Sequence, residues 1–156
     1  VQTCALPISG AGVRWADSAG AIIDRAVGVP MKYVDAEGVF WDVNPTSGIP
    51  SAALYNVVSY YANAGCTGVR HLIVGPFPFL PPRVPFFDPE TNQYRVYADT
   101  AAQVMAATCS YRFSGGSVGT CSNFDPCDTN LAVPLTSTRA VMLPSVPGAP
   151  PYHPVL

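Results

Sequence analysis

The residues with the clearest capacity for chemistry lie between positions 115 and 130. Gly115-Gly116-Ser117-Val118-Gly119 has the G-x-S-x-G spacing, in which small residues let a chain turn sharply and expose a serine hydroxyl beside backbone donors. Such a serine performs acyl transfer when a strand precedes it, a helix follows it and a base stands within reach. Asp125, Asp128 and His153 follow Ser117 in a workable order, but TCSNFDPCDTN, directly after Gly119, cannot make the helix. The spacing therefore reads first as a flexible glycine loop. A second chemistry overlaps it. Asn123, Asp125, Asp128 and Asn130 set oxygen-bearing side chains close together, and calcium takes such oxygens. The D-x-D-x-D-G spacing of a dedicated calcium loop is missing, and Asx turns that bond their own backbone give the same composition.

Other titratable groups are sparser. His71 sits inside VRHLIVG, where a strand histidine is usually a hydrogen-bonded core residue rather than a base or ligand. Asp35 with Glu37, and Asp88 with Glu90, are paired carboxylates of the kind used in acid–base work. Each pair also falls where a hairpin turn is expected, and turn formation explains it equally. No cofactor and no metal site is expected from these residues.

The cysteines carry more information. Cys66, Cys109, Cys121 and Cys127 form an even set once Cys4 is put aside, and no C-x-x-C pair is present. That spacing favours two disulfides over reduced thiols or a zinc site, with the connectivity open among three possibilities. Disulfides in turn imply an extracellular, periplasmic or organelle-lumen location. Cys4 is put aside because Val1 to Ile8, VQTCALPI, reads as the conceptual translation of a sequencing adapter, GTT CAG ACG TGT GCT CTT CCG ATC. Residues 1–8 are accordingly expected to lie outside the folded domain, and any leader peptide would be encoded upstream. A chain translated from an assembled transcript or metagenome has this character.

The chain of 156 residues is long enough for one domain with a real core. Apolar residues make up 49% and charged residues only 12%, about half the share usual for globular proteins. So little charge suits a subunit packed against neighbours better than a free monomer. The net charge of −2 gives no electrostatic case for nucleic acid, and no apolar run is long enough for a transmembrane segment. Asn44-Pro45-Thr46 is blocked as a glycosylation acceptor by its proline.

The elements that would position these groups can be sketched from periodicity. WADSAGAIIDRAV (15–27), SAALYNVVSYYANA (51–64) and ADTAAQVMAATC (98–109) read as helices with Asp or Ser caps. KYVDAEGVFWDV and FFDPETNQYRVY read as hairpins around Asp35–Gly38 and Asp88–Asn92. VRHLIVG reads as a buried strand, and a helix leading directly into it suggests an αβ unit with partly parallel pairing. The expectation is an α+β domain over residues 9–143: a small mixed sheet with two hairpins, about three helices, Pro-rich connections and a disulfide-pinned C-terminal loop. Residues 144–156 read as a Pro-rich extended tail. The proline-aromatic stretch PFPFLPPRVPFF and the hairpin after it nominate Phe77, Phe79, Phe86, Phe87 and Tyr94 as a partner-binding surface, joined by Tyr97.

The stretch AGCTGVRHLIVGPFPFLPP resembles the helix, strand and proline-containing turn found midway through GDSL-type esterases. That resemblance covers about a fifth of the chain. It implies an α/β hydrolase fragment whose nucleophile segment lies upstream. The family's G-D-S-L and G-x-N-D blocks have no counterpart, and Pro150 stands where its D-x-x-H ending would place an acid before His153, so no catalytic residue carries over. The reading best supported by composition is a non-catalytic structural or assembly subunit of an extracellular or lumenal complex, partnered by other protein subunits. A hydrolase fragment and a small secreted ligand-binding module are the alternatives.

Overall fold

Burial that alternates from residue to residue organises this chain. The computed structural model describes residues 12–52, 56–74 and 83–155. Phe77, Phe79, Leu54 and residues 1–8 with Cys4 lie outside the described residues. The first strands are β1 (Arg14–Ala16), β2 (Ala26–Val27), β3 (Lys32–Val34), β4 (Phe40–Val43) and β5 (Pro50–Ser51), of which β2-β3-β4-β5 form one antiparallel sheet. β6 (Asn56–Asn63), β7 (Thr67–Val74), β10 (Val104–Gly115) and β11 (Cys121–Pro134) close into a four-stranded barrel in the order β10-β11-β7-β6. β8 (Phe86–Asp88), β9 (Gln93–Tyr97) and β12 (Thr138–Val141) make a third sheet, and β13 (His153–Val155) returns to pair with β1. Every strand pairing is antiparallel.

This corrects the α+β expectation: the described residues contain no α-helix, only a 3-10 turn at Leu135–Ser137. Residues 15–27 form β1, a turn and β2, because Asp17 Oδ1 accepts from the Ala19 and Ala21 amides and bends the chain where a helix was expected to start. Residues 56–63 are β6, with Val57, Ser59 and Tyr61 buried on alternate positions. Its β-branched and aromatic content suits a pleated surface, and Val57, Val58 and Tyr61 mimic helical spacing only because both faces carry apolar groups. Residues 104–109 open β10, whose inward side chains Ala106, Thr108, Ser110 and Ser114 are too small and polar to register as an apolar alternation. The expected αβ unit is instead the β6–β7 hairpin, and the expected cysteine-pinned loop is largely strand β11. The described residues contain neither a parallel strand pair nor an α-helix, so they do not form the α/β layer that the esterase resemblance implies. The turns at Asp35–Gly38 and Asp88–Asn92 do join antiparallel strands, β3 to β4 and β8 to β9.

Three apolar clusters tie the sheets together. Trp15, Ile23, Ala26, Met31 and Val43 pack around Tyr152, drawing the C-terminal segment onto the first sheet. Val39 and Trp41 of the first sheet meet Val96 of β9. Phe86 and Tyr97 seal the barrel strands at Val57, Leu72 and Val133.

Between the last two layers lies a charged network. Directly opposed residues of antiparallel strands share a face, so Arg70, Tyr61 and Ser110 form one inward row and Leu72, Ser59 and Arg112 the next. The Arg70 guanidinium donates to both Asp88 oxygens, at 2.6 and 2.9 Å, and twice to Ser59 Oγ. Its terminal nitrogen stands 3.1 Å from Glu90, which also takes a proton donor from Arg112 at 3.1 Å and another from the Tyr61 hydroxyl. The Asp88 side chain is fully buried and that of Arg70 only 9% exposed. Burial alone would push the Asp88 carboxyl up, but hydrogen bonds and charge from Arg70, with Thr91 and the Glu90 amide, hold it below the ordinary carboxylate value. Tyr61 is pushed up to about 12 by burial and by its bond to Glu90.

Removing one partner of such a pair leaves an uncompensated buried charge, at a cost of about 3–5 kcal/mol. Arg70→Met and Asp88→Asn are each expected to lower stability by roughly that amount in urea unfolding at neutral pH. Because Asp88 is held low in the folded state, its contribution is present above the ordinary carboxylate value near 3.9 and is lost as pH falls through the lower folded value. The wild type should therefore lose stability at acidic pH more steeply than Asp88→Asn; parallel pH profiles would refute the role given to this carboxyl.

Candidate functional site

The opposite face of the same strands carries the larger aromatic side chains. The register places His71, Tyr60 and Tyr111 in one outward row and Ile73, Val58 and Phe113 in the next. Phe124 of β11 joins them: its ring lies 5.0 Å from Tyr111 and 6.3 Å from Tyr60, the latter pair inclined by only 13°. Tyr60 and Tyr111 are themselves 6.5 Å apart. Val58, Tyr60, Tyr111, Phe113, Phe124 and Asn130 line a surface hollow of about 330 Å³. That is at the lower end of the range typical of small-ligand sites.

Local sequence explains why Phe124 reaches this face. β10 and β11 pair from Val104↔Ala132 to Thr108↔Asp128 and resume at Ser110↔Asn123, so Cys109 alone faces residues 124–127. The surplus residues form a bulge that carries Phe124 toward the tyrosines. Two disulfides brace it. Cys109–Cys127 pins the bulge to β10, and Cys66–Cys121 ties the β6–β7 turn to the start of β11. Asn123 Oδ1 adds a bond from the Gly65 amide at 2.8 Å.

The electrostatics of the hollow are those of half-buried polar groups. The Tyr60 hydroxyl is raised above its ordinary value, first by burial and then by the Asp128 charge. Beside the hollow, on the same face, His71 Nδ1 is buried with no hydrogen-bond partner among the described residues, and burial holds the imidazole below its ordinary value.

The residues singled out by sequence are dispersed. Phe86 is fully buried against Tyr97, with ring centroids 5.5 Å apart. Phe87 lies 5.2 Å from Tyr94, and Tyr94 meets Trp41 edge-on at 5.5 Å. Tyr94 also walls an open groove of about 680 Å³ shared with Tyr33, Asp35, Glu37 and Arg25. Ser117 is exposed in the β10–β11 turn, with strand rather than helix on its far side. That turn needs Gly119 for space, since a Cβ there would strike the Phe113 carbonyl. Asn123 is bonded to Gly65, Asp128 to its neighbour Thr129, and Asn130 to Thr108 Oγ1 at 2.8 Å, so these side chains serve local structure. Asp88 and Glu90 belong to the buried network, and Asp35 bonds the Glu37 and Val39 amides and the Trp41 indole.

Tyr60, Tyr111, Phe113 and Phe124 were not among the residues nominated by sequence. Their signal is the run Ser110-Tyr111-Arg112-Phe113-Ser114, in which rings alternate with small or charged residues at strand period. No protein-family model, no curated protein and no solved structure matches this chain.

The His71 imidazole is expected to titrate below its ordinary value of 6.5, as followed by NMR. Since the folded state holds it low, its contribution to stability is present above about 6.5 and lost as pH falls through the lower folded value. A titration at or above 6.5 would contradict its burial.

Proposed function

We propose that this chain is a non-catalytic assembly module of an extracellular or lumenal complex, docking through the outward face of β6, β7, β10 and the β11 bulge. One observation carries the reading: the polarity of β10 is inverted. On β10 the buried side chains are Ala106, Thr108, Ser110 and Ser114, while Met105 and Phe113 are 66% and 55% exposed. A sheet that meets water on one face normally does the reverse. A contiguous aromatic patch at a solvent boundary is the composition of a protein interface, where Tyr and Phe supply area at low entropic cost.

Other features agree with this setting. Two disulfides are compatible with an oxidising compartment, and no helix of the described residues is long and apolar enough to cross a membrane, which says nothing of strands. The hollow between the rings also supports the narrower reading of a secreted ligand-binding module.

The test is a double variant, Tyr111→Ser with Phe113→Thr, which leaves the buried network untouched. It is expected to keep both disulfides and the wild-type far-ultraviolet spectrum. The wild type should associate reversibly in sedimentation velocity and take up an apolar dye. The variant should lose dye uptake and weaken association by roughly 2 kcal/mol per truncated ring. Unchanged association in the variant would refute docking through this face.

A further inference from the structure

We infer that the hollow among Tyr60, Tyr111, Phe113 and Phe124 receives the guanidinium of an arginine presented by the docking partner. The inference rests on the docking reading above and names the chemistry of its central contact.

Three observations converge on a delocalised organic cation. First, the hollow is lined by four aromatic side chains, whose rings carry negative π density, and the Tyr60 and Phe124 rings are inclined by only 13°. Second, the charge around it has one sign. From Phe113 to Thr138 the sequence contains Asp125 and Asp128 and no Lys or Arg. The nearest cation in sequence, Arg112, points to the other face and is engaged by Glu90. Asp128 lies close enough to raise the Tyr60 hydroxyl, so its charge is felt inside the hollow. Third, the lining includes one side-chain carbonyl acceptor, on Asn130. Asn130 spends its amide nitrogen on Thr108, which leaves its carbonyl oxygen to accept.

Among biological cations these features select guanidinium over ammonium. A lysine head is a compact, strongly hydrated charge that loses much of its hydration against aromatic walls. Guanidinium is planar, weakly hydrated through its faces, stacks on rings and donates from its edge. Tyr and Arg are also the residues most enriched at interface hot spots. The braced bulge means that the rings are held in place before the partner arrives, which lowers the ordering cost of binding.

The experiment uses the full disulfide-bonded chain, amide NMR, and four probes: N-acetylarginine amide, N-acetyllysine amide, N-acetylcitrulline amide and methyl β-glucoside. Citrulline keeps the planar shape of arginine and part of its donor edge, with a carbonyl in place of one amino group and no charge. The arginine probe is expected to give saturable shifts at Tyr60, Tyr111, Phe113 and Phe124. Lysine should bind about threefold more weakly or worse, and citrulline and the glucoside should not saturate. Asp128→Asn, at an exposed carboxylate whose charge reaches Tyr60, should weaken the arginine probe by about threefold while leaving the fold intact. Equal binding of citrulline and arginine, saturation by the glucoside alone, or no saturable shift with any probe would each overturn the inference. The docking reading is scored separately by the Tyr111/Phe113 variant. If that variant loses association while arginine fails to bind, docking stands and the guanidinium does not. If association is insensitive to the variant, docking itself has failed.

Discussion

A guanidinium sealed between two β layers sets the terms for the rest of this molecule. Taking Arg70 out of water costs several kcal/mol unless its donors are met, and they are met by Asp88, Glu90 and Ser59 from three different strands or turns. That requirement fixes how the β8–β9 hairpin docks. A shift of one residue along β8 would bring Phe87 to the place of Asp88 and strand the charge. The apolar contacts of Phe86 and Tyr97 supply driving force, while the ion pair supplies register. Specificity of this kind is the best-attested use of a buried charge.

The same network dictates the unusual lining of the barrel strands. Space facing Asp88 and Glu90 is taken by Arg70, Arg112 and Tyr61, and the inward positions beside Val57, Leu72 and Ala106 are Ser59, Thr108, Ser110 and Ser114, all buried. Their hydroxyls are used: Ser110 Oγ donates to the Asn63 carbonyl and accepts from the Cys66 amide, and Thr108 Oγ1 accepts from Asn130. Large rings are left for the outward positions. The aromatic face and the ionic core are thus two sides of one constraint rather than separate adaptations.

That coupling also explains what was legible in the sequence. The hairpin at Asp35–Gly38 could be read because its signals are local: a turn aspartate, a glycine and alternation on either side. The cysteine set could be read as disulfides because spacing excluded the close pairs of a zinc site, although pairing needed the fold. β6 and β10 could not be read as strands. The inward residues of β10 are small or polar, so its alternation is reversed, while β6 carries apolar residues on both faces, so that residues three and four apart mimic a helix face. The aromatic site was missed for the same reason. The proline-aromatic segment and its hairpin carry the more conspicuous aromatic run, yet Phe86 within it serves the core. The weak fourth edge of the barrel, closed by Val133↔Leu72 and Pro134↔His71 alone, has no sequence signature at all.

The bulge opposite Cys109 has one more consequence. Pairing on either side of residues 124–127 is anchored independently, by Asn123↔Ser110 before it and Asp128↔Thr108 after it, and Cys127 clamps its end. Phe124, Asp125 and Pro126 can therefore be exchanged without moving a strand, much as a recognition loop is varied on an immunoglobulin frame. Strand register and the placement of the Phe124 ring are thus fixed by separate contacts, so a change in the bulge alters the aromatic face before it alters the fold.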